Sequence, residues 1–379
     1  MRKSVFLLLT VFILATPAAA QAAAVPGLTA KAAVVMETST GRIIYAKGAD
    51  EKRPPASTTK MMTLIVALEH GNLDGIVTTS PRAAAAEGSS MWLAPGEQLK
   101  LGDMLAGMML VSGNDAAAAV AEHISGTMER FARLMTEKAH AVGAVNTNFA
   151  NSSGLPDPRH YSTAADLARI AAYGYKNPLF ARIVGTRHAV VPWPGKDHDR
   201  DLYNENKLLW MYEGANGVKT GFTEEAGRCL VAGARRGDVQ LVAVVLDSDR
   251  MWEDAMKLLD YGFSRLKPVA MFGRGDIVKT VRVVDGREDY VKLATAESLT
   301  VPAVDGERDG FVTVVHAPDR IEAPLAAGQK VGTVRTFYRN TEVAAVDLVA
   351  AEPVGRKSFF SLVWGSVWSF FTFVVRNFA

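Results

Sequence analysis

Near residue 266 the hydrophobic periodicity of this chain changes from helical to β. From Ala56 to about Gly262, apolar residues recur at helical spacing. Thr58–His70, set between Pro54-Pro55 and Gly71-Asn72, reads as a helix, as do Leu101–Leu110, Asp115–Ile124, Met128–Val142 and Ala164–Tyr173. Arg228–Ala234 and Val239–Leu246 are apolar runs divided by Arg235-Arg236-Gly237-Asp238, which predicts a β-hairpin, and Trp252–Tyr261 predicts a closing helix. From Lys267 to Val354 the runs are short and β-branched: Ile277–Val284, Phe311–Val315, Val331–Tyr338 and Val343–Val349. Turn dipeptides such as Asp285-Gly286 and Asp309-Gly310 separate them. The expectation is an α+β region, an antiparallel sheet with helices, followed by a small all-β domain.

Both ends are biased. Met1-Arg2-Lys3, the apolar run Val5–Ala15 and the small residues Ala18-Ala19-Ala20 form a secretory signal peptide, 1–24, with cleavage after Ala20 or after Ala24. The run is shorter than the ~20 residues that span a bilayer. The mature protein is therefore expected to be exported, outside the cytoplasmic membrane. At the other end, a helix over Phe359–Val375 would reach only ~25 Å, short of the ~30 Å hydrocarbon core. Ser358, Ser361, Gly365, Ser369, Thr372 and Arg376 form a small and polar stripe on it. Phe360, Trp364, Val367, Trp368, Phe371 and Val374 lie opposite. Segment 355–379 thus reads as an amphipathic helix anchored in the outer leaflet of the cytoplasmic membrane, with a spanning helix as the alternative.

Composition narrows the function. Of 379 residues, 49% are apolar and 22% charged, as in an ordinary globular protein. Lys+Arg 42 against Asp+Glu 40 leaves a net charge of +2, so nothing calls for a nucleic-acid partner. The single Cys229 allows no internal disulfide and no cysteine-based zinc site, and its apolar run places it in the core. The seven histidines lack ligand spacing; His198, between Asp197 and Asp199, reads as a solvated loop residue. Neither G-x-G-x-x-G nor a P-loop occurs. No metal and no cofactor is expected.

Reactive chemistry begins at Pro54-Pro55-Ala56-Ser57-Thr58-Thr59-Lys60. On a helix, Ser57 and Lys60 are one turn apart on the same face. A neutral lysine in a site with other cations can take the proton of a serine hydroxyl. Alone, the pair reads as an N-cap serine and a solvated lysine, and Ser264-Arg265-Leu266-Lys267 repeats the spacing. Context separates them. Ser112-Gly113-Asn114 lies in a short loop between two helices, able to present a hydroxyl and an amide. Lys219-Thr220-Gly221-Phe222-Thr223 precedes the hairpin, where a strand edge can present a cation, a hydroxyl and backbone N–H groups. Neither the Ser-Gly-Asn nor the Lys-Thr-Gly motif recurs.

With these motifs in this order, the sequence resembles the low-molecular-mass penicillin-binding proteins, the serine D-alanyl-D-alanine carboxypeptidases. The likeness extends to Gly88-Ser89-Ser90-Met91-Trp92 with Pro95-Gly96-Glu97, to Asn151-Ser152-Ser153-Gly154-Leu155, to His160-Tyr161-Ser162-Thr163 and to Asn206-Lys207-Leu208-Leu209. It implies a penicillin-binding-protein/β-lactamase-like domain over 25–265, with helices on both faces of an antiparallel sheet and an all-helical lobe. An all-β domain over 266–354 and the anchor helix would follow.

The resemblance also implies roles. Ser57 would attack the carbonyl between the last two D-alanines of a peptidoglycan stem peptide, Lys60 would take its proton, and Ser112 would relay a proton to the leaving D-alanine. Backbone N–H groups of Ser57 and Phe222 would form the oxyanion hole. Asn114 would bind the substrate backbone and hold Lys60. Lys219, Thr220 and Thr223, on the strand with Gly221, would bind the terminal carboxylate, assisted by Arg250 or alternatively Arg228. His160 would be structural. β-Lactams would acylate Ser57. Endopeptidase or transpeptidase action on cross-links is the near alternative; a β-lactamase or a non-catalytic penicillin-binding sensor is the more distant one.

Overall fold

The structure is a computed structural model that describes residues 27–357; the expected signal peptide and nearly all of the C-terminal anchor helix lie outside them. A five-stranded antiparallel sheet is ordered Arg42–Lys47, Ala32–Glu37, Val239–Leu246, Gly227–Arg236, Ala215–Thr223. The hairpin expected from the sequence forms its heart, turning at Gly237, whose φ of 57° favours glycine. Ala32–Glu37 is buried along its whole length. That strand was not predicted, because a strand covered on both faces shows no alternation.

Each face of the sheet packs a separate core. Helix Met251–Arg265 covers one, through Ala255, Leu258 and Leu259 against Val35, Ala243 and Val245. Helix Ala164–Gly174 covers the other, where Val34, Val242 and Val244 meet Leu167 and Ala168. This second core continues into a lobe of helices Lys60–His70, Leu101–Leu110, Asn114–Ser125 and Met128–Ala141. Cys229 is buried here, as its apolar run implied.

After Arg265 the chain becomes all-β. Leu266–Phe272 pairs with Leu299–Val304. A six-stranded sheet is ordered Phe311–His316, Lys330–Tyr338, Thr341–Ala350, Tyr290–Thr295, Ile277–Val284, Arg320–Glu322. Its core is built on Val281, Leu293, Val334 and Leu348. Contacts run past Val354: Arg287 N–H donates to Gly355 O, and Lys357 N–H to Asp285 O at 2.8 Å. Among the described residues, no helix is long and apolar enough to cross a membrane.

Candidate active site

The site forms where the first lobe helix meets the edge strand Ala215–Thr223. Pro54-Pro55 cannot extend a helix backwards, so the chain enters through a 3₁₀ turn, Ala56–Thr59, and becomes α-helical at Lys60. The Pro55 carbonyl accepts from the Thr58 hydroxyl at 2.7 Å, and Ala56 takes a left-handed φ of 47°. This turn leaves Ser57 half-buried and brings its Oγ to 3.0 Å from Lys60 Nζ.

Lys60 is fully buried. Its Nζ donates to Asn114 Oδ1 at 2.6 Å and to the Ser153 carbonyl at 2.9 Å. A neutral amine has two N–H donors and one lone pair. Two carbonyl-type acceptors and one hydroxyl are its full complement. Burial pushes the Lys60 pKa well below that of a free lysine, and the like charge of Lys219 pushes the same way. The site therefore favours the amine that can receive a proton from Ser57.

Surrounding loops are tied to this centre. Ser112, buried, holds a left-handed φ of 61° between Leu101–Leu110 and Asn114–Ser125. Asn114 is fixed by its Nδ2 donating to Glu87 O at 2.6 Å and its backbone N–H to Ser89 O at 2.7 Å. Asp115 accepts from Ser90 Oγ at 2.6 Å and from the backbone N–H of Met91 and Leu93. Buried Arg200 closes the same loop: Nε donates to Met91 O at 2.7 Å, and Nη2 pairs with Glu97 Oε1 at 2.8 Å. The segment Asn151-Ser152-Ser153-Gly154 presses on the Ala56–Thr59 turn so closely that a β-carbon on Gly154 would lie 1.8 Å from Ala56 O. Ser153-Gly154 reads in the sequence only as an imperfect copy of Ser112-Gly113; its contribution is a backbone carbonyl, which carries no sequence signature. His160 Nδ1 accepts from Ala150 N–H, leaving Nε2 to donate to Thr59 Oγ1 at 2.8 Å; burial lowers its pKa to about 4.

On the edge strand, Lys219 is buried and its Nζ donates to Thr220 Oγ1 at 3.3 Å. A β-carbon on Gly221 would sit 3.0 Å from Ser57 N, so glycine is what lets the strand pass Ser57. Thr223 Oγ1 accepts from Ala226 N–H at the turn, and Phe222 is 63% exposed. Glu205 joins this group without having been predicted: its Oε2 is 3.8 Å from Lys219 Nζ and accepts from Thr220 Oγ1 at 3.3 Å.

Arg250 is exposed just past the end of the sheet strand Val239–Leu246. It heads helix Met251–Arg265, on the face of the sheet opposite the lobe, and its backbone N–H donates to Thr29 Oγ1. Among the described residues no hydrogen bond or ion pair links it to Lys219 or Thr220. Arg228, the alternative, stands opposite Phe222 in the hairpin. Ser264, the spacing decoy, donates to Tyr261 O within the last turn of the same helix. His198 is exposed beside Asp197, and among the described residues no metal-ligand cluster forms.

A serine facing a dehydrated amine, in an α+β fold of this kind, has the equipment of a serine acyl-transferring enzyme. Residues 19–250 match a family model described as D-alanyl-D-alanine carboxypeptidase, and residues 267–356 one described as penicillin-binding protein 5, C-terminal domain. The chain belongs to the D-alanyl-D-alanine carboxypeptidase family, whose chemistry is that of a serine acyl-enzyme. It is 36% identical to the D-alanyl-D-alanine carboxypeptidase DacF of Bacillus subtilis (strain 168), covering 87% of each chain. It is 32% identical to DacC of Escherichia coli (strain K12), over 92% of this chain and 90% of that one. Penicillin-binding protein 5 from Haemophilus influenzae superposes with a TM-score of 0.63 at 30% identity, over 88% of this chain and 100% of that chain. The catalytic α+β fold and the following β domain expected from the resemblance are therefore the observed ones.

Proposed function

We propose that Ser57 is the nucleophile of a carboxypeptidase that removes the terminal D-alanine from peptidoglycan stem peptides. The observation that carries this reading is the 3.0 Å approach of Lys60 Nζ to Ser57 Oγ in a buried, like-charged setting that disfavours the ammonium. Ser57 attacks the carbonyl between the last two D-alanines, and its proton passes to Lys60. The tetrahedral oxyanion is held by the backbone N–H groups of Ser57 and Phe222, and the glycine at 221 lets that strand run close to Ser57 N. Ser112 relays a proton to the departing nitrogen. Asn114 orients Lys60 and the substrate backbone, while Lys219, Thr220 and Thr223 receive the terminal carboxylate. Water then cleaves the ester and restores Ser57. A β-lactam enters the same reaction through its own acyl carbon and carboxylate.

The chain acts after export, on the outer side of the cytoplasmic membrane, with the tail after Lys357 as its anchor in the outer leaflet; the basic n-region and the aromatic face of the tail support this. Purified enzyme incubated with a stem pentapeptide releases D-alanine and leaves a tetrapeptide. Conversion of cross-linked dimers alone, with the pentapeptide untouched, would assign it to endopeptidase chemistry instead.

A further inference from the structure

Glu205 sets a carboxylate where the proposed reaction requires another one. Lys219 and Thr220 are the cation and hydroxyl assigned above to the substrate's terminal carboxylate. The Glu205 carboxylate engages both, at 3.8 Å from Lys219 Nζ and 3.3 Å from Thr220 Oγ1. Its backbone is rigidly held. Glu205 N–H donates to Leu110 O at 2.9 Å, at the end of the helix that leads into Ser112. Both neighbours are buried asparagines: Asn204 Nδ2 donates to Thr186 O, and Asn206 Oδ1 accepts from Leu208 N–H. The side chain, by contrast, is 45% exposed. The backbone is pinned and only the carboxylate can swing.

We propose that Glu205 is an internal stand-in for the chain-terminal carboxylate: it occupies the Lys219–Thr220 cradle until a substrate chain end displaces it, and so governs which chain ends are accepted. This rests on the carboxypeptidase reading of the same site. Lys219 and Thr220 are neighbours on one strand and their polar atoms touch, so two carboxylates cannot both take the cradle without facing each other. A substrate with a free carboxylate must expel Glu205, and that cost appears in binding. A substrate ending in an amide carries no charge to compete. Once the terminal D-alanine has left, Glu205 can return and hinder rebinding of that amino acid.

The stand-in has a second consequence. Lys219 is buried, with Glu205 as the anion on it and Lys60 as the neighbouring cation. Glu205 keeps Lys219 charged and ready for an anion. Without it, the Lys219 ammonium would give up its proton at lower pH, and anion binding would fade earlier as pH rises.

The test is Glu205→Gln, which keeps size and removes charge, compared with wild type and Glu205→Asp on a peptide ending in D-Ala-D-Ala. At pH 6.5 the Gln variant should lower KM about fivefold with kcat unchanged, as expected for an interaction lost equally from ground and transition states. The Asp variant should stay within about twofold of wild type, since the like charge remains. On the C-terminal amide of the same peptide, the Gln variant should show no gain. As pH rises, its KM should climb earlier than that of wild type. KM does not depend on the folded fraction, and penicillin titration counts intact sites. An unchanged or raised KM at pH 6.5, or an equal gain on the amide, overturns the proposal. Wild type that releases no D-alanine overturns the carboxypeptidase reading and this inference with it.

Discussion

The amine of Lys60 lies 2.6 Å from the side-chain oxygen of Asn114, although 53 residues separate them along the chain and they begin different helices. The contact joins the serine–lysine turn to the Ser-Gly-Asn loop. It aims the amine at Ser57, because the other partner of Lys60, the Ser153 carbonyl, approaches from a third segment.

Ser57 and Ser264 should behave oppositely towards a fluorescent penicillin. Ser57→Ala should abolish labelling, and peptide mapping of wild type should place the adduct on Ser57. Ser264→Ala should label fully, since that hydroxyl is already bonded to Tyr261 O within a helix. An adduct on Ser264 would refute the assignment.

Lys60 and Lys219 should separate by charge and by pH. Lys60→Arg should slow acylation roughly a thousandfold, because guanidinium cannot accept the proton. Lys219→Arg should keep part of the activity. If Lys60 is the base proposed above, acylation needs it neutral and should rise with pH through that depressed pKa. Carboxylate recognition needs charged Lys219, whose pKa burial lowers to about 8, so it fades above that pH. The profile of kcat/KM should be a bell. Lys219→Ala removes a like charge and should move the acid limb to higher pH; an unmoved limb would uncouple the two lysines.

His160 should make the fold acid-sensitive. Its folded pKa of about 4 lies below the ordinary 6.5, so the unfolded chain binds the proton more readily between those values. The neutral ring's stability is complete above pH 6.5 and is lost as pH falls through about 4. The loss is roughly 3 kcal/mol. Denaturant titrations at pH 7 and pH 4 should differ by about that much more in wild type than in His160→Asn. Equal slopes would show that His160 is not the group involved.

Gly154→Ala should damage both stability and acylation. Its φ of 91° disfavours any side chain, and the added carbon would overlap Ala56 O. A loss of roughly 3 kcal/mol is expected, with penicillin labelling slowed in the surviving fold. A variant that melts like wild type would contradict the close approach.

Arg200→Ala should loosen the loop from Ser89 to Glu97. It leaves Glu97 buried without its cation, at a cost of about 3 to 5 kcal/mol, and removes the hold on Met91 and Trp92 carbonyls. Replacing Arg200 and Glu97 together by methionine and leucine should recover stability but not the loop's position, read as acylation rate. Wild-type acylation in the double variant would show that the loop does not need this tether.

Truncation for solubility belongs after Lys357 rather than after Val354, because Gly355 and Lys357 pair with the segment Asp285–Arg287. The shortened enzyme should stay active in the supernatant while the full mature chain pellets with membranes. Equal partitioning of both forms would remove the anchor from 358–379.

The sequence by itself determined many of the elements and the order of the three motifs. Helical and two-residue periodicities are local, so Leu101–Leu110 and Ile277–Val284 appear at their predicted bounds. The one-turn spacing of Ser57 and Lys60 already put them on one face. Ala32–Glu37 escaped notice because full burial on both faces erases alternation. Only the tertiary structure could bring Asn114, Ser153 and Glu205 to the two lysines, since each arrives from a different segment and two of the contacts are made by a backbone carbonyl or an unremarkable glutamate. It also decided which core helix Met251–Arg265 packs on, because which face of the sheet a helix covers depends on packing between distant strands and helices, and no local pattern encodes that.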